Sequence, residues 1–425
     1  MPIIDPGHHQ NLPPGLKMVE FIALMAAMMA IPAFSIDLML PALPEIGRDL
    51  HVDNPNDRQA IILFFFLGLA SGSLFYGPLS DRYGRRVILI GAMALLLAAT
   101  IICAVASSFP IMLGARLIAG FCGAACRVTV VSIVRDCFQG DAMARIISLI
   151  MSIFMIVPIL APSFGQIILL FAPWRWIFWI LAILICIIGI WLSWRLPETL
   201  DPDNRTSIGP RDLLATFVRI VTNRNSIGHM VASGFMFGGL TGFLVSVQQI
   251  FFDVFHMPDI FPFAFAGIAV WMAVGSLFNS RLVERFGARR MSQSAVLVLI
   301  LLSIMHSLFI VLGAENVFVF MILQSLTSAC FSFAGSNFSA ISLEPFSKGA
   351  GLASSLQASL TTLMGAVLGG FIGAQFNGTV LPMALGFLGF GMMSMFVIGW
   401  AEKWRFFRRP GLAYLRTSEG MKPPL

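Results

Sequence analysis

The sequence predicts an all-α membrane protein of twelve transmembrane helices in two six-helix halves. Three observations lead there. Only 11% of the 425 residues are charged and 58% are apolar, whereas a soluble domain carries about a quarter charged residues. Twelve apolar runs are each long enough for the roughly 20 residues that a bilayer core demands. A charged loop motif recurs at an offset of 203 residues. This composition excludes disorder and a water-soluble enzyme surface. The net charge of +6 does not point to nucleic acid, because the basic residues lie in loops between apolar runs.

Bounded by charge, Gly and Pro, the spans run at about 18–40, 59–80, 87–107, 109–134, 144–169, 174–195, 225–251, 260–283, 290–313, 316–341, 350–374 and 380–402. Of the 27 Lys and Arg, 22 fall in one alternating set of connections and tails and only Arg48, Arg58 and Arg175 in the other. The positive-inside rule then places both termini in the cytoplasm. The stretch 196–224 joins spans six and seven; its Pro197, Pro202, Gly209 and Pro210 read as a linker. The expected organisation is a tail 1–17, a bundle 18–195, the linker 196–224, a bundle 225–402 and a tail 403–425. Trp174, Trp176 and Trp179 cluster near one interface and Trp191, Trp194, Trp400 and Trp404 near the other, as an aromatic belt requires.

The repeat pairs Gly77-Pro-Leu-Ser-Asp81-Arg82-Tyr-Gly84-Arg85-Arg86 with Ser280-Arg-Leu-Val-Glu-Arg-Phe-Gly287-Ala-Arg289. Six helices and a linker fit into the offset, which is the arrangement of parallel-repeat transporters. The first loop resembles the signature loop of the major facilitator superfamily. Leu113-Gly-Ala-Arg116-Leu-Ile-Ala-Gly120 is similar to that family's fourth-helix arginine motif. Pro158-Ile-Leu-Ala-Pro162-Ser-Phe-Gly165 resembles its fifth-helix antiporter motif, a bend element. Asp37-Leu-Met-Leu-Pro41, Val134-Arg135-Asp136, Trp174-Arg-Trp-Ile-Phe178 and Pro197-Glu-Thr199 are similar to the Bcr/CflA (bicyclomycin/chloramphenicol resistance) branch of drug/proton antiporters.

The resemblance implies proton-coupled efflux of drugs or other amphipathic small molecules by alternating access, in a bacterial inner membrane. It implies no enzymatic activity and no cofactor beyond the proton gradient. The expected partners are a small-molecule substrate, protons and lipid, with no nucleic acid, and the chain is expected to act as a monomer. It also implies that Gly77, Asp81, Arg82, Gly84, Arg85 and Arg86, with Arg135 and Asp136, form a cytoplasmic gate. A dedicated exporter of one metabolite class (siderophore, amino acid or sugar) is the alternative. A non-transporting membrane sensor or scaffold has no use for charges buried in lipid.

Such charges are present. Asp37 lies about one turn inside the outer end of span one, and Arg116 and Arg127 lie on one face of span four, close to three turns apart. Intramembrane ionisable residues face a cavity or a partner. Asp37, Arg116 and Arg127 are therefore the expected proton-coupling set, with proton entry neutralising Asp37 and freeing Arg116. Related antiporters often carry a second acid about two turns earlier in helix one; here Met29 and its neighbours are neutral, which leaves Asp37 the only evident carboxylate in the interior of that span. Thirty-nine Phe and 24 Met suggest an adaptable apolar pocket. Phe34, Gln248, Gln249, Phe333 and Asn337 are the candidate substrate contacts. Gly68/Gly72 and Gly365/Gly369/Gly373 space glycines for close helix packing. The six cysteines suggest no disulfide framework, and the six histidines are scattered, with no metal or catalytic cluster expected.

Overall fold

The computed structural model describes residues 12–13, 15–201, 205, 210–346 and 350–407. Among them are fifteen α-helices: α1 Met18–Asp37, α2 Leu43–Asp49, α3 Ala60–Tyr83, α4 Arg85–Val105, α5 Phe109–Cys137, α6 Gly140–Phe154, α7 Ile156–Phe171, α8 Arg175–Arg195, α9 Pro210–Thr222, α10 Arg224–Gln249, α11 Phe261–Phe286, α12 Ala288–Val311, α13 Val317–Leu343, α14 Ala350–Ala374 and α15 Leu381–Ala401. Twelve segments among the described residues are long and apolar enough to cross a membrane, and they match the twelve apolar runs of the sequence. Their outward faces carry large apolar side chains such as Leu95, Ile102, Ile183, Ile187, Leu301 and Val367, which only lipid can cover without loss.

Local chemistry sets many helix ends. Asn223 accepts the backbone N–H of Ser226, and Asn316 accepts those of Phe318 and Val319, the capping that open helix N-termini need. Prolines sit in the first turns of α5, α11 and α15, where the missing N–H is harmless. Span five is two helices, α6 and α7, separated at Met155. The break lies just upstream of Pro158, because its ring clashes with the carbonyl four residues back, that of Phe154. Span one continues past α1 through a short turn at Leu40–Ala42 into α2. The stretch read as a linker contains a helix, α9, whose Ile220 packs with Met230, Phe346 and Ala353.

The chain divides into two compact units, Met1–Pro210 and Arg211–Leu425. Within the first, α3 packs most extensively on α5, and α4 packs on α5 and α8. Within the second, α11 packs on α13, and α12 on α13 and α15. These are the same partnerships, shifted by six spans, so the sequence repeat is also a repeat of packing. The repeated glycine makes it concrete. Gly84 and Gly287 adopt φ of +102° and +87°, a conformation that costs glycine little and other residues much. Each lets one span end and the next begin within a single residue.

Candidate functional site

The first unit carries buried charge at the end of α1. Asp37, the last residue of α1, is 5% exposed, and no ion pair reaches it among the described residues. The backbone immediately after it is pressed by α7: a Cβ at Gly165 would collide with the carbonyl of Leu38. One turn before it, Phe34 is half-buried and packs with Ala30, Val157 and Ala161. The proline-rich segment of span five, with Pro162 buried and Pro158 half-buried, thus lies alongside the α1 stretch that carries Asp37 and Phe34.

Arg116 is 1% exposed, yet its guanidinium does not ion-pair with Asp37. It donates to the carbonyl of Ser35 at 2.9 Å and to that of Ile61 at 3.2 Å, and it stacks over the Phe65 ring at 4.4 Å. The Ser35 carbonyl belongs to the last turn of α1, the negative end of its dipole. Arg116 therefore ties α1 to α3 through main-chain oxygens, and in this conformation it is already engaged. Arg127, three turns further along α5, is exposed. The two arginines share a helix face but not an environment.

At the other end of the unit, Arg85 is 2% exposed. It pairs with Asp81, donates to Asp136 at 2.9 Å and bonds the Ser80 hydroxyl at 2.8 Å. Arg86 donates to the Ser193 carbonyl at 2.7 Å. Arg82 and Arg135 are exposed, and Gly77 is half-buried. Of the residues expected to form a gate, then, the structure gathers Asp81, Arg85 and Asp136 into one cluster. It adds Glu198, a residue to which the sequence reading gave no role. The Glu198 carboxylate accepts the backbone N–H groups of Arg85 at 2.8 Å and Arg86 at 3.2 Å, capping α4 at its positive end. Its signal in the sequence was the Pro197-Glu198-Thr199 motif. Arg85→Ala should leave Asp81 and Asp136 facing one another without a cation, a cost of about 3 kcal/mol or more. Transport is expected to fall at least roughly tenfold, whereas Arg82→Ala should change it less than about twofold; parallel efflux assays of the two variants check this.

In the second unit, Asn337 donates to Asn279 at 2.7 Å and to the Phe333 carbonyl at 2.8 Å. Asn279 donates to Ser336 at 3.1 Å, and Ser332 to the Met272 carbonyl at 2.9 Å. These bonds form a polar ladder between α11 and α13, so Asn337 serves helix association. Phe333 is half-buried beside it. Gln248 and Gln249 are fully buried at the end of α10, directly before a π-helical turn at Ile250–Val254. Among the described residues, neither amide atom of Gln248 has a hydrogen-bond partner, while Gln249 is engaged. A fully buried open amide is costly and so marks Gln248 more strongly than its neighbour. Among the described residues, no group of three His, Cys, Asp or Glu could hold a metal ion.

Comparison with known proteins agrees with this architecture. The bicyclomycin resistance protein homolog of Haemophilus influenzae is 30% identical over 371 residues, covering 85% of this chain and 91% of that protein. The uncharacterized MFS-type transporter YdgK of Bacillus subtilis is 27% identical over 388 residues, 87% of this chain and 92% of that protein. The multidrug resistance protein MdtL of Escherichia coli is 32% identical over 197 residues, about half of each chain. Among solved structures, the D-xylose-proton symporter superposes with a TM-score of 0.69 at 14% identity, over 90% of this chain and 97% of that one. The human organic anion transporter MFSD10 superposes with a TM-score of 0.64 at 17% identity, over 92% of this chain and all of that one. The family model for the Major Facilitator Superfamily matches residues 21–374, and the chain belongs to that superfamily.

Proposed function

We propose that this transporter exports drugs or other amphipathic small molecules in exchange for protons, by alternating access, across the bacterial inner membrane with both termini in the cytoplasm. The observation that carries the reading is Asp37, a buried carboxyl on a membrane-spanning helix without an ion-pair partner among the described residues. Keeping such a group in lipid is costly unless it works. Asp37 takes the proton, and a cationic or polar substrate competes with it. Arg116 holds the end of α1 in register through Ser35 and Ile61. The Asp81–Arg85–Asp136 cluster latches the cytoplasmic side and breaks on each cycle. Gln248 offers a donor and an acceptor to a polar group of the substrate. The similarity to a bicyclomycin resistance protein homolog and to MdtL supports drugs as the substrate class.

The test is uptake of a panel of cationic dyes and antibiotics into everted vesicles, with and without an imposed proton gradient. Gradient-dependent accumulation of several unrelated compounds is the expected result. Accumulation of a single metabolite class points to the dedicated exporter instead. Accumulation that ignores the gradient overturns proton coupling.

A further inference from the structure

The second unit holds a buried titratable cluster where α10, the α12 start, the α13 end and the α15 end come together. His229 on α10 is fully buried. Its Nδ1 lies 2.8 Å from the carbonyl oxygen of Asn225. A carbonyl can only accept, so Nδ1 carries the hydrogen, and a neutral ring would leave Nε2 a bare lone pair. That nitrogen faces Oε1 of Glu402 at 3.4 Å. Gln293 Nε2 donates to Oε2 at 2.8 Å, while Arg289 Nε stands 3.0 Å from Oε1 as an ion pair and, among the described residues, no hydrogen bond reaches that oxygen. The Gln293 amide cannot be turned around, because its Oε1 accepts the backbone N–H of Phe407 at 2.6 Å. A neutral His229 would therefore set a lone pair against a carboxylate in a dry site. A proton on Nε2 converts that repulsion into an ion pair.

Arg289 also binds Glu344 at 2.8 Å, so the cluster among the described residues contains one arginine and two carboxylates, and a proton on His229 balances them. Two nearby arginines are engaged elsewhere. Arg224 points its guanidinium at the carbonyl and ring of Trp400, and Arg290 donates to the Phe407 carbonyl. From α13 the ring of Phe338 faces His229 at 5.9 Å, and α14 has no charged residue along its length. The Arg289 guanidinium and the Gln293 amide, at 3.0 and 2.8 Å, both favour the charged form of the Glu402 carboxyl.

We propose that His229 is a proton-binding site of the C-terminal half: a proton on Nε2 locks the His229–Glu402–Arg289–Glu344 cluster, and its release loosens it. The repeat gives the cluster a place in the cycle. Arg289 stands one repeat after Arg86, beside the glycine turn that matches the gate loop of the first unit. This inference rests on the proposed orientation, which puts the cluster at the cytoplasmic face. The second half of the gate then responds to cytoplasmic pH, while Asp37 serves coupling. Histidine is the side chain whose charge changes near neutrality.

Two measurements test it. Nitrogen-15 NMR of histidine-labelled protein in nanodiscs is recorded from pH 5 to 9, with the His229 signals identified by their loss in H229Q. The expected result is a doubly protonated His229 ring in wild type that loses its Nε2 proton within this range, and a singly protonated ring at neutral pH in E402Q. Efflux from proteoliposomes is then followed as the cytoplasmic-face pH is varied with the pH difference across the membrane held constant, so that the driving force does not change. The wild-type rate should change roughly five- to tenfold between about pH 6 and 8.5. H229Q and H229K should both give flat profiles, H229K at the wild-type acid-side rate. A His229 that stays singly protonated throughout, or an H229Q profile equal to wild type, overturns the proposal. Failure of the proton-antiport reading looks different: gradient-driven export is absent from wild type while the His229 titration persists.

Discussion

Asp37→Asn is expected to abolish uphill export while leaving the protein folded and able to carry substrate down its gradient. The amide has the shape of the carboxyl, and among the described residues no ion pair at Asp37 is lost by the exchange. The substitution therefore removes the proton site without the penalty of stranding a counter-charge, unlike Arg85→Ala, which would expose two acids to one another. The size of the effect follows from the driving force. One proton crossing 100 mV supplies about 2.3 kcal/mol, and a tenfold concentration ratio costs about 1.4 kcal/mol. A wild-type carrier exchanging one proton for one neutral substrate molecule can thus build a ratio of roughly 40- to 50-fold, an electroneutral exchange for a monovalent cation draws on the pH difference alone, and the variant should build no ratio in either case. Dye accumulation in everted vesicles, compared with counterflow in the absence of a gradient, separates the two properties. A variant that still concentrates substrate uphill removes Asp37 from the coupling mechanism.

The spans were legible because a long apolar run bounded by charge is a property of one stretch of chain, and the bilayer answers to it directly. The glycine turn at Gly84 was legible for the same reason, since the motif is local and repeats at Gly287. What escaped the reading depends on main-chain atoms or on distant partners. Arg116 was expected to serve Asp37, but its partners are the carbonyls of Ser35 and Ile61, and carbonyls have no letter in a sequence. Glu198 caps α4 across the length of the first unit, although its own neighbourhood read only as the start of a linker. His229 and Glu402 belong to opposite ends of the second unit's chain, so six scattered histidines gave no hint that one of them faces a carboxylate. The helix α9 was hidden by the prolines and charges around it, since Pro210 breaks a linker and opens a helix equally well. The Gln248–Gln249 pair was visible as two amides at lipid depth, but only packing distinguishes the open Gln248 from its engaged neighbour.

The bend in span five and the glycine crossings share a physical consequence. In both, backbone approaches backbone, so the geometry is set by the absence of side chains and cannot be recovered by a rotamer change. Gly165 against the Leu38 carbonyl is one case. The α10–α14 contact is another, where Gly369 meets Thr241 and the backbone of Gly242. Such interfaces have few ways to relax, so each crossing holds its two helices as one block.

The strongest expectation of this kind is at the α3–α5 crossing, where Gly120→Val should destabilise the first unit and abolish transport. Three glycines interlock there. A Cβ at Gly68 would strike the carbonyl of Leu117, one at Gly72 the carbonyl of Phe121, and one at Gly120 the carbonyl of Phe65. Each helix thus lays its bare backbone on the other's oxygens, contacts worth about 0.5–1 kcal/mol each. A valine at 120 meets main chain, which cannot swing aside, so the helices must separate. Overpacking of cores costs about 1–3 kcal/mol even where side chains can yield, and this site lies at or above the upper end. The displacement also reaches the charge site, because Phe65 stacks on Arg116 and Ile61, one turn earlier on α3, accepts its Nε hydrogen. A loss of about 3 kcal/mol corresponds to a fall in Tm of roughly 6–12 °C for a unit of this size. Gly114→Val is the control, since a Cβ there meets nothing within 4 Å, and it should shift Tm by less than about 3 °C. Heating purified protein in detergent and measuring the remaining monodisperse fraction gives both values, and equal melting of the two variants would refute the backbone-contact account of this crossing.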